Sequence, residues 1–460
     1  MSTSHSRAAG KFLEDSGYAK WHDNTFWGVR AKRDTMAFGL DEWERLREKA
    51  SEIKQHTLTH IDRYLEQFAD AAERNGAIVH WAEDADDFNR IVYGILAEHD
   101  VKKLVKSKSM LTEECEMNPY LEERGIEVVE TDLGERIIQL KGQHPSHIVM
   151  PATHLSNRDV CELFEKELGT EPGNDDPVYL TYQARLSLRN EFLTADAGMT
   201  GANFGVASTG EIVVCTNEGN ADMSTSVPKL QISAIGLEKI IPDYEALSVF
   251  TRLLARSATG QPSTVFTSHF AKGRPGGGKL HIVIVDNGRS HWLADPDHWQ
   301  MLRCIRCGAC MNTCPVYRWS GGYSYSYFIP GPLGVNLGML RDPHRYSGNV
   351  SACTLCLSCQ CVCPVKIKLG DQIYQWRQKL DDMGEANKEK KRMCMAMEKV
   401  MGSVSLYNKA TSMLRYVNSL PSAMVNGSLN PWAYGHKMMK FPKRPFHEMI
   451  KDVEKGSTDK

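Results

Sequence analysis

Two cysteine runs constrain this chain more than any other feature. The first reads Cys304-Ile-Arg-Cys307-Gly-Ala-Cys310-Met-Asn-Thr-Cys314-Pro315. The second reads Cys353-Thr-Leu-Cys356-Leu-Ser-Cys359-Gln-Cys361-Val-Cys363-Pro364. Both fit C-x₂-C-x₂-C-x₃-C-P, the spacing by which thiolates hold [4Fe–4S] clusters. Three cysteines two residues apart let a tight loop wrap three irons of one cube. The fourth lies too far along the chain to close that cube, and in two-cluster proteins it ligates the other one. The expected sets are therefore Cys304, Cys307, Cys310 and Cys363 for one cluster, and Cys353, Cys356, Cys359 and Cys314 for the other. Each terminal proline lacks a backbone N–H and turns the chain away. Cys361 is surplus to the pattern and reads as a buried thiol.

Zinc sites favour paired C-x₂-C knuckles with four ligands, which does not account for two four-cysteine runs each ending in Cys-Pro. The C-x₃-C-x₂-C spacing of radical chemistry is absent. Nine of the 13 cysteines fall between residues 304 and 363, so they do not form a dispersed disulfide scaffold. The N-terminus, MSTSHSRAAGKFLED, shows no apolar h-region, and no run approaches the roughly 20 apolar residues of a membrane helix. Metal-binding thiols without a secretion signal point to a reducing compartment, and the expected location is cytoplasmic.

At 460 residues the chain exceeds a single compact core. Residues 41–75 read as one helix, with Asp41 as its cap and Gly76 at its end. Strand-like segments at 77–81, 103–106, 126–129 and 146–150 then alternate with helical stretches around 88–96, 112–124 and 158–168. This alternation implies crossover connections and a mostly parallel sheet. After a helix ending at Thr194, strands are expected over 203–209, 211–216, 229–235 and 280–286. The organisation expected is a 1–40 extension, an α/β domain over 41–290, a helical two-cluster segment over 291–387, and a C-terminal extension over 388–460.

That extension carries 14 Lys+Arg against 6 Asp+Glu, whereas the rest of the chain carries 41 against 51. It also holds nine of the 20 methionines, including Met393, Met395 and Met397. Flexible methionine surfaces suit adaptable docking. Packing against the cysteine segment, offsetting its anionic clusters, is the alternative. The 38 residues between Cys314 and Cys353 exceed the loop of a minimal ferredoxin and suit a helical one. Tyr323, Tyr325, Tyr327 and Phe328 within them are placed to shield a cluster from water.

Three other patterns carry less. Gly273 to Lys279 matches G-x₄-G-K, but Leu280 replaces the hydroxyl residue and a strand follows where a helix is needed; it reads as a turn. His56 and His60 stand one helical turn apart, yet Thr57 replaces the glutamate of a zinc protease. No G-x-G-x-x-G follows a strand, so no dinucleotide fingerprint is present.

The stretch from Asp196 to Gly219, DAGMTGANFGVASTGEIVVCTNEG, resembles the signature of the LUD (lactate-utilisation) domain family. Lys106-Ser-Lys-Ser-Met110 and Glu238-Lys-Ile-Ile-Pro242 resemble two further segments of that family. Followed by Trp292-Leu-Ala-Asp-Pro-Asp297 and the paired cysteine runs, the order is similar to that of the lactate-utilisation protein B family. The resemblance implies an α/β domain of the ribose-phosphate isomerase/CoA-transferase-like fold, then an α-helical ferredoxin domain with two [4Fe–4S] clusters. It further implies an electron-transfer component of a multi-subunit L-lactate oxidation system. The implied partners are a second LUD protein and a cysteine-rich iron–sulfur protein, with no nucleic acid and with peripheral membrane contact left open. The rival reading makes the LUD domain itself an enzyme, or a binder of a small carboxylic acid or acyl thioester. Thr200, Asn203, Thr209 and Glu211 are the expected pocket residues, with Glu218 placed there by analogy to the acidic nucleophile of CoA transferases. The glycines of the signature equally suit tight strand turns, and a fold analogy does not supply chemistry.

Overall fold

In a computed structural model, residues 5–273, 277–385, 388–426 and 439–458 are described. The chain divides into two compact units, Met1–Gln378 and Lys379–Lys460. The first is built on ten strands: β1 (Ile78–Ala82), β2 (Lys103–Lys106), β3 (Glu127–Glu130), β4 (Ala197–Gly201), β5 (Phe204–Val206), β6 (Glu211–Thr216), β7 (Leu230–Gly236), β8 (Ile240–Ile241), β9 (Phe266–Phe270) and β10 (Lys279–Val285). Six of them form one sheet in the order β1-β10-β7-β4-β2-β3, and every pair in it is parallel. The other four form a small mixed sheet in the order β8-β5-β6-β9.

Parallel strands need both faces covered, and β10 shows how the sequence meets that demand. Its Val283 and Val285 pack with Phe88, Val92 and Met199 on one face. Leu280, Ile282 and Ile284 pack with Phe68, Ile212 and Ile240 on the other. The chain first lays β2 and β3 outward in one direction, then returns to lay β4, β7 and β10 in the other. The strand order thus reverses between β2 and β4, where the carboxyl ends of an open parallel sheet leave a crevice.

Two expected elements are broken. The helix expected over 41–75 is two, α3 (Trp43–Thr59) and α4 (Ile61–Arg74), separated by His60 at φ −122°, ψ 37°. They follow α1 (His5–Leu13) and α2 (Ser16–Phe38). Asp41 does not cap α3, which begins after Glu42 without a side-chain bond, whereas Gly76 ends α4 at φ 92° as expected. The 112–124 helix is likewise split by Glu116 at φ 51°, which lets Cys115 and Met117 both turn into the core. His56 meets Tyr64 Oη at 3.1 Å, and its ring lies tilted against that of His60 on an exposed face.

The strand expected at 146–150 is not one. Ser146, His147 and Ile148 are buried, but against the cysteine segment rather than in a sheet. Tyr317 Oη donates to the Ser146 carbonyl at 2.8 Å, and His147 Nε2 meets Asn312 Oδ1 at 3.0 Å. The glycine-rich turn includes residues 274–276, which lie outside the described residues.

The N-terminal region, expected to be an extension, is a brace. α2 packs on the helix Tyr244–Ala258 of the α/β part and on the short helices Ala309–Thr313 and Pro315–Ser320 of the first cysteine run. No helix among the described residues is long and apolar enough to cross a membrane. In the second unit the helices Lys388–Met401 and Val404–Leu414 pack on each other and leave Met393, Met395, Met397 and Met401 exposed.

The hairpin of β5 and β6 turns at Gly210, at φ 70°, where an added Cβ would lie 2.1 Å from the Ala72 backbone nitrogen of α4. Gly210→Ala is therefore expected to destabilise the fold by about 2–4 kcal/mol. Gly219→Ala, with nothing within 4 Å, serves as the control. Thermal unfolding of the two variants checks this: equal midpoints would refute the packing argument.

Candidate cysteine centres and cavity

The two cysteine runs adopt the same backbone course. Arg306 (φ 59°) and Gly308 (φ 74°) flank Cys307, and Leu355 (φ 54°) and Leu357 (φ 62°) flank Cys356, all in the left-handed region. Only glycine adopts this region cheaply, so three non-glycine residues are held there by their surroundings. A five-residue helix follows in each run, Ala309–Thr313 and Ser358–Val362. Each then opens into an extended cysteine, Cys314 at φ −72°, ψ 116° and Cys363 at φ −63°, ψ 119°.

These courses bring the eight cysteines together in two mixed sets. Burial raises the Cys307 thiol to about 12, and Cys363 and Cys304 are the cysteines that add repulsion there. Cys310, pushed up first by burial, feels Cys307, Cys304, Cys359 and Cys363. Cys314, raised to about 11 by burial, instead feels Cys353 and Cys356 from the second run. Cys359 is raised by burial and then by Cys314, Cys353 and Cys356. The fourth cysteine of each run thus sits among the first three of the other, and Cys310 with Cys359 marks where the sets approach.

Four thiols crowded in a dry site repel one another once ionised, and a multivalent iron group removes that penalty. Backbone N–H groups already point at the sulfurs: Arg306 at Cys304 and Leu355 at Cys353, each 3.3 Å, and Ile367 at Cys363, also 3.3 Å. A small void is lined by Cys304, Cys307, Cys310 and Cys363 with Leu333 and Ile367. These features fit iron–sulfur ligation. Cys361, read from the sequence as a buried thiol, is exposed instead. Two residues along a helix is over half a turn, so it faces away from Cys359.

The shielding aromatics divide. Tyr325 and Tyr327 are buried, and the Tyr325 hydroxyl is in hydrogen-bonding reach of the Cys314 sulfur. Tyr323 is exposed and donates to the His144 carbonyl. Cations from other elements grip the runs. Lys239 Nζ donates to the Cys304 carbonyl at 3.0 Å, Arg47 to the Cys363 carbonyl at 2.8 Å, and Arg33 to the Val362 carbonyl at 3.0 Å. Thr313 and Ser358 hydroxyls bond each other at 2.6 Å, and Arg30 donates to both.

A cavity of about 350 Å³ opens at the crevice where the strand order reverses. Asn203 and Glu218 line it, as expected. Thr200, Thr209 and Glu211 do not. Thr200 is buried within the sheet, bonded to Ser233 at 3.2 Å, because β4 turns that side chain between strands. Glu211 stands on the hairpin beside His269 at 3.0 Å, and Thr209 belongs to the same turn, its carbonyl accepting from Asn75. Residues from Lys106–Met110 and Glu238–Pro242 supply much of the wall instead: Ser107, Lys108, Ser109, Glu238 and Lys239. Glu114, Asp132, Arg289 and Arg306 complete its charged lining, and no local pattern in the sequence marks them.

Arg289 is fully buried, with Nη2 2.8 Å from Glu114 Oε2 and Nε 2.6 Å from Glu238 Oε2. Burial pushes Glu238 up, but Arg289, Lys239, Arg306 and Lys54 together outweigh it and hold its carboxyl at about 2. Glu218 moves the other way: burial, then repulsion from Asp132, raises it to about 7.

With cavity and cysteine centres in view, the chain matches the LUD domain model over residues 65–285 and the 4Fe-4S dicluster domain model over residues 300–367. Its class is therefore that of a LUD domain joined to an iron–sulfur dicluster domain. It is 39% identical to lactate utilization protein B of Bacillus cytotoxicus, over 91% of this chain and 90% of that one. It is 37% identical to the uncharacterized electron transport protein YkgF of Escherichia coli, over 92% of this chain and 89% of that one. The chain belongs to the lactate utilization protein B family. A crystal structure of a duf162 family protein from Deinococcus radiodurans matches 49% of this chain and 98% of its own, at 15% identity and a TM-score of 0.29.

A glutamate with a raised folded-state pKa stabilises the fold fully below its unfolded value and loses that contribution as pH rises through the folded value. Glu218 should therefore lower stability between pH of about 4.5 and 7. Glu218→Gln is expected to flatten that slope in anaerobic denaturant titrations at stepped pH. Parallel curves for wild type and variant would remove Glu218 as the cause.

Proposed function

We propose that this chain is an iron–sulfur electron carrier in L-lactate oxidation, passing electrons from a partner's redox centre toward an acceptor. The convergence of eight cysteines into two mixed sets carries the reading, and the names of the relatives direct it to lactate and electron transport. Cys304, Cys307, Cys310 and Cys363 would hold one [4Fe–4S] cluster, and Cys353, Cys356, Cys359 and Cys314 the other. Such clusters pass one electron at a time, so an adjacent pair suits the two electrons released when lactate becomes pyruvate.

The chain's own residues would set the conditions for that transfer. Cys314 and Cys363, each reaching into the other set, fix the separation of the two centres. Buried Tyr325 would exclude water, and its hydroxyl would donate to the Cys314 sulfur. We place the ribose-phosphate isomerase/CoA-transferase-like domain at 41–290, the α-helical ferredoxin domain at 291–387 and the basic extension at 388–460. A second LUD protein and a cysteine-rich iron–sulfur protein are the proposed partners, and the cytoplasm is the proposed compartment. The exposed methionines of the helices after Lys388 favour docking as the role of that extension. The cavity favours a second reading for the LUD domain, as a binder of a small acid.

Cys307→Ser and Cys356→Ser are each expected to lose about four irons per chain and to abolish lactate-dependent electron flow in the reconstituted system. Full flow with one set empty would count against a relay. Tyr325→Phe should keep all the iron but lower one of two midpoint potentials in a redox titration followed by electron paramagnetic resonance, since hydrogen bonds to cluster sulfur raise the potential. An unchanged pair of potentials would show that this hydroxyl does not tune the centre.

A further inference from the structure

The cavity is not enclosed by the α/β domain alone. Arg306 and Cys307 of the first cysteine run form part of its wall, beside Asn203, Glu218 and Lys239. Arg306 is the telling residue. Its side chain is 15% exposed, its Nη2 stands 4.0 Å from Glu238 Oε1, and its Nη1 is buried without a hydrogen-bond partner. A buried guanidinium N–H left unpaired is costly, and its planar fork suits a carboxylate. The loop does not need arginine for its own geometry: the corresponding position of the second run, at nearly the same φ, is Leu355.

The remaining wall defines what else the occupant carries. Asn203 spends its side-chain oxygen on the Cys215 N–H at 2.8 Å, which leaves its amide N–H₂ to donate. Glu218 accepts from the Leu133 N–H through Oε2 at 3.2 Å and keeps a second oxygen for the cavity. The lining holds four acidic and four basic side chains. A balanced wall with one unpaired cationic donor suits one negative charge rather than two. The volume, about 350 Å³, is at the small end for organic ligands.

We propose that this cavity binds a small monocarboxylate with an α-hydroxyl or α-keto oxygen, its carboxylate on Arg306 and its α-oxygen toward Asn203 and Glu218. Because Cys307 shares the wall, the set of Cys304, Cys307, Cys310 and Cys363 senses the occupant. The binding clause deepens the small-acid reading of the LUD domain given above, and the second clause rests on the iron–sulfur reading.

The test is equilibrium dialysis of the anaerobically purified full chain against labelled L-lactate and labelled pyruvate, with inorganic phosphate as competitor. Saturable binding of one acid per chain is expected. Arg306→Gln should weaken it at least about tenfold, the loss of one charged hydrogen bond, with iron content unchanged. Glu218→Gln, away from the cysteines, is the second variant and should also weaken it. In electron paramagnetic resonance of the reduced protein, saturating acid should alter one cluster signal and leave the other. Iron-replete protein with no saturable binding at millimolar acid would overturn the proposal. So would equal affinity in both variants, or displacement by phosphate at equal concentration. Colourless, folded protein that still binds the acid through Arg306 would keep the cavity and sink the electron-carrier reading instead.

Discussion

The structure of this chain depends on one crossing, where the Thr313 and Ser358 hydroxyls bond each other at 2.6 Å and Arg30 reaches both. Each hydroxyl belongs to the helix that leads into the fourth cysteine of its run. Five-residue helices have no stability of their own, so their orientation must be imposed from outside. The N-terminal helices impose it. Arg30 and Arg33 from α2, and Arg47 from α3, bind hydroxyls and the carbonyls at the end of the Ser358–Val362 helix, where cations also meet the negative end of the helix dipole. The region preceding the LUD domain is thus part of the centre's scaffold.

A second constraint ties the cysteine centre to the sheet. Lys54, Lys239, Arg289, Glu114 and Glu238 form a buried ionic network around the end of β7. Buried ion pairs add little net stability once desolvation is counted, so position is the better account of such a network. Glu238 is held ionised by Arg289, and Lys239 beside it donates to the Cys304 carbonyl. The carboxyl ends of the sheet strands are thereby fixed against the loop that carries Arg306 and Cys307. The cavity lies at this junction because both a strand reversal and a cysteine loop meet there.

What the sequence disclosed followed from how local each signal is. Cysteine spacing is local, so both runs and their shared pattern stand out in the chain without reference to the fold. Strand β10 was legible because a run of Leu, Ile and Val with both faces apolar describes a doubly covered parallel strand. The 146–150 segment showed the same burial, but its partners, Asn312 and Tyr317, lie over 160 residues away in sequence. The break at His60 and the left-handed Glu116 were hidden because neither residue type announces such a backbone. Cys361 was misplaced for want of its helical phase. Of the cavity residues, Asn203 and Glu218 stood in a recognisable signature, whereas Asp132, Arg289 and Arg306 are gathered only by the fold.

The two cysteine sets are not equivalent, and the difference gives the proposed relay a direction. Around the set containing Cys307, positive charge comes from Arg33, Lys54, Lys239, Arg303 and Arg47, each felt by one of its sulfurs. Among the described residues, the cation that acts on Cys353 of the other set is Arg377, and Cys356 and Leu357 there are exposed. Positive surroundings favour the reduced, more negative state of a cluster, and solvent exposure sets where a partner can approach. Electrons arriving from a docked protein would enter at the exposed set and move toward the buried one. The buried set is also the one that shares a wall with the cavity. In the proposed reading, binding of an acid there would act on the electron's destination, because Cys307 and the cavity share one loop.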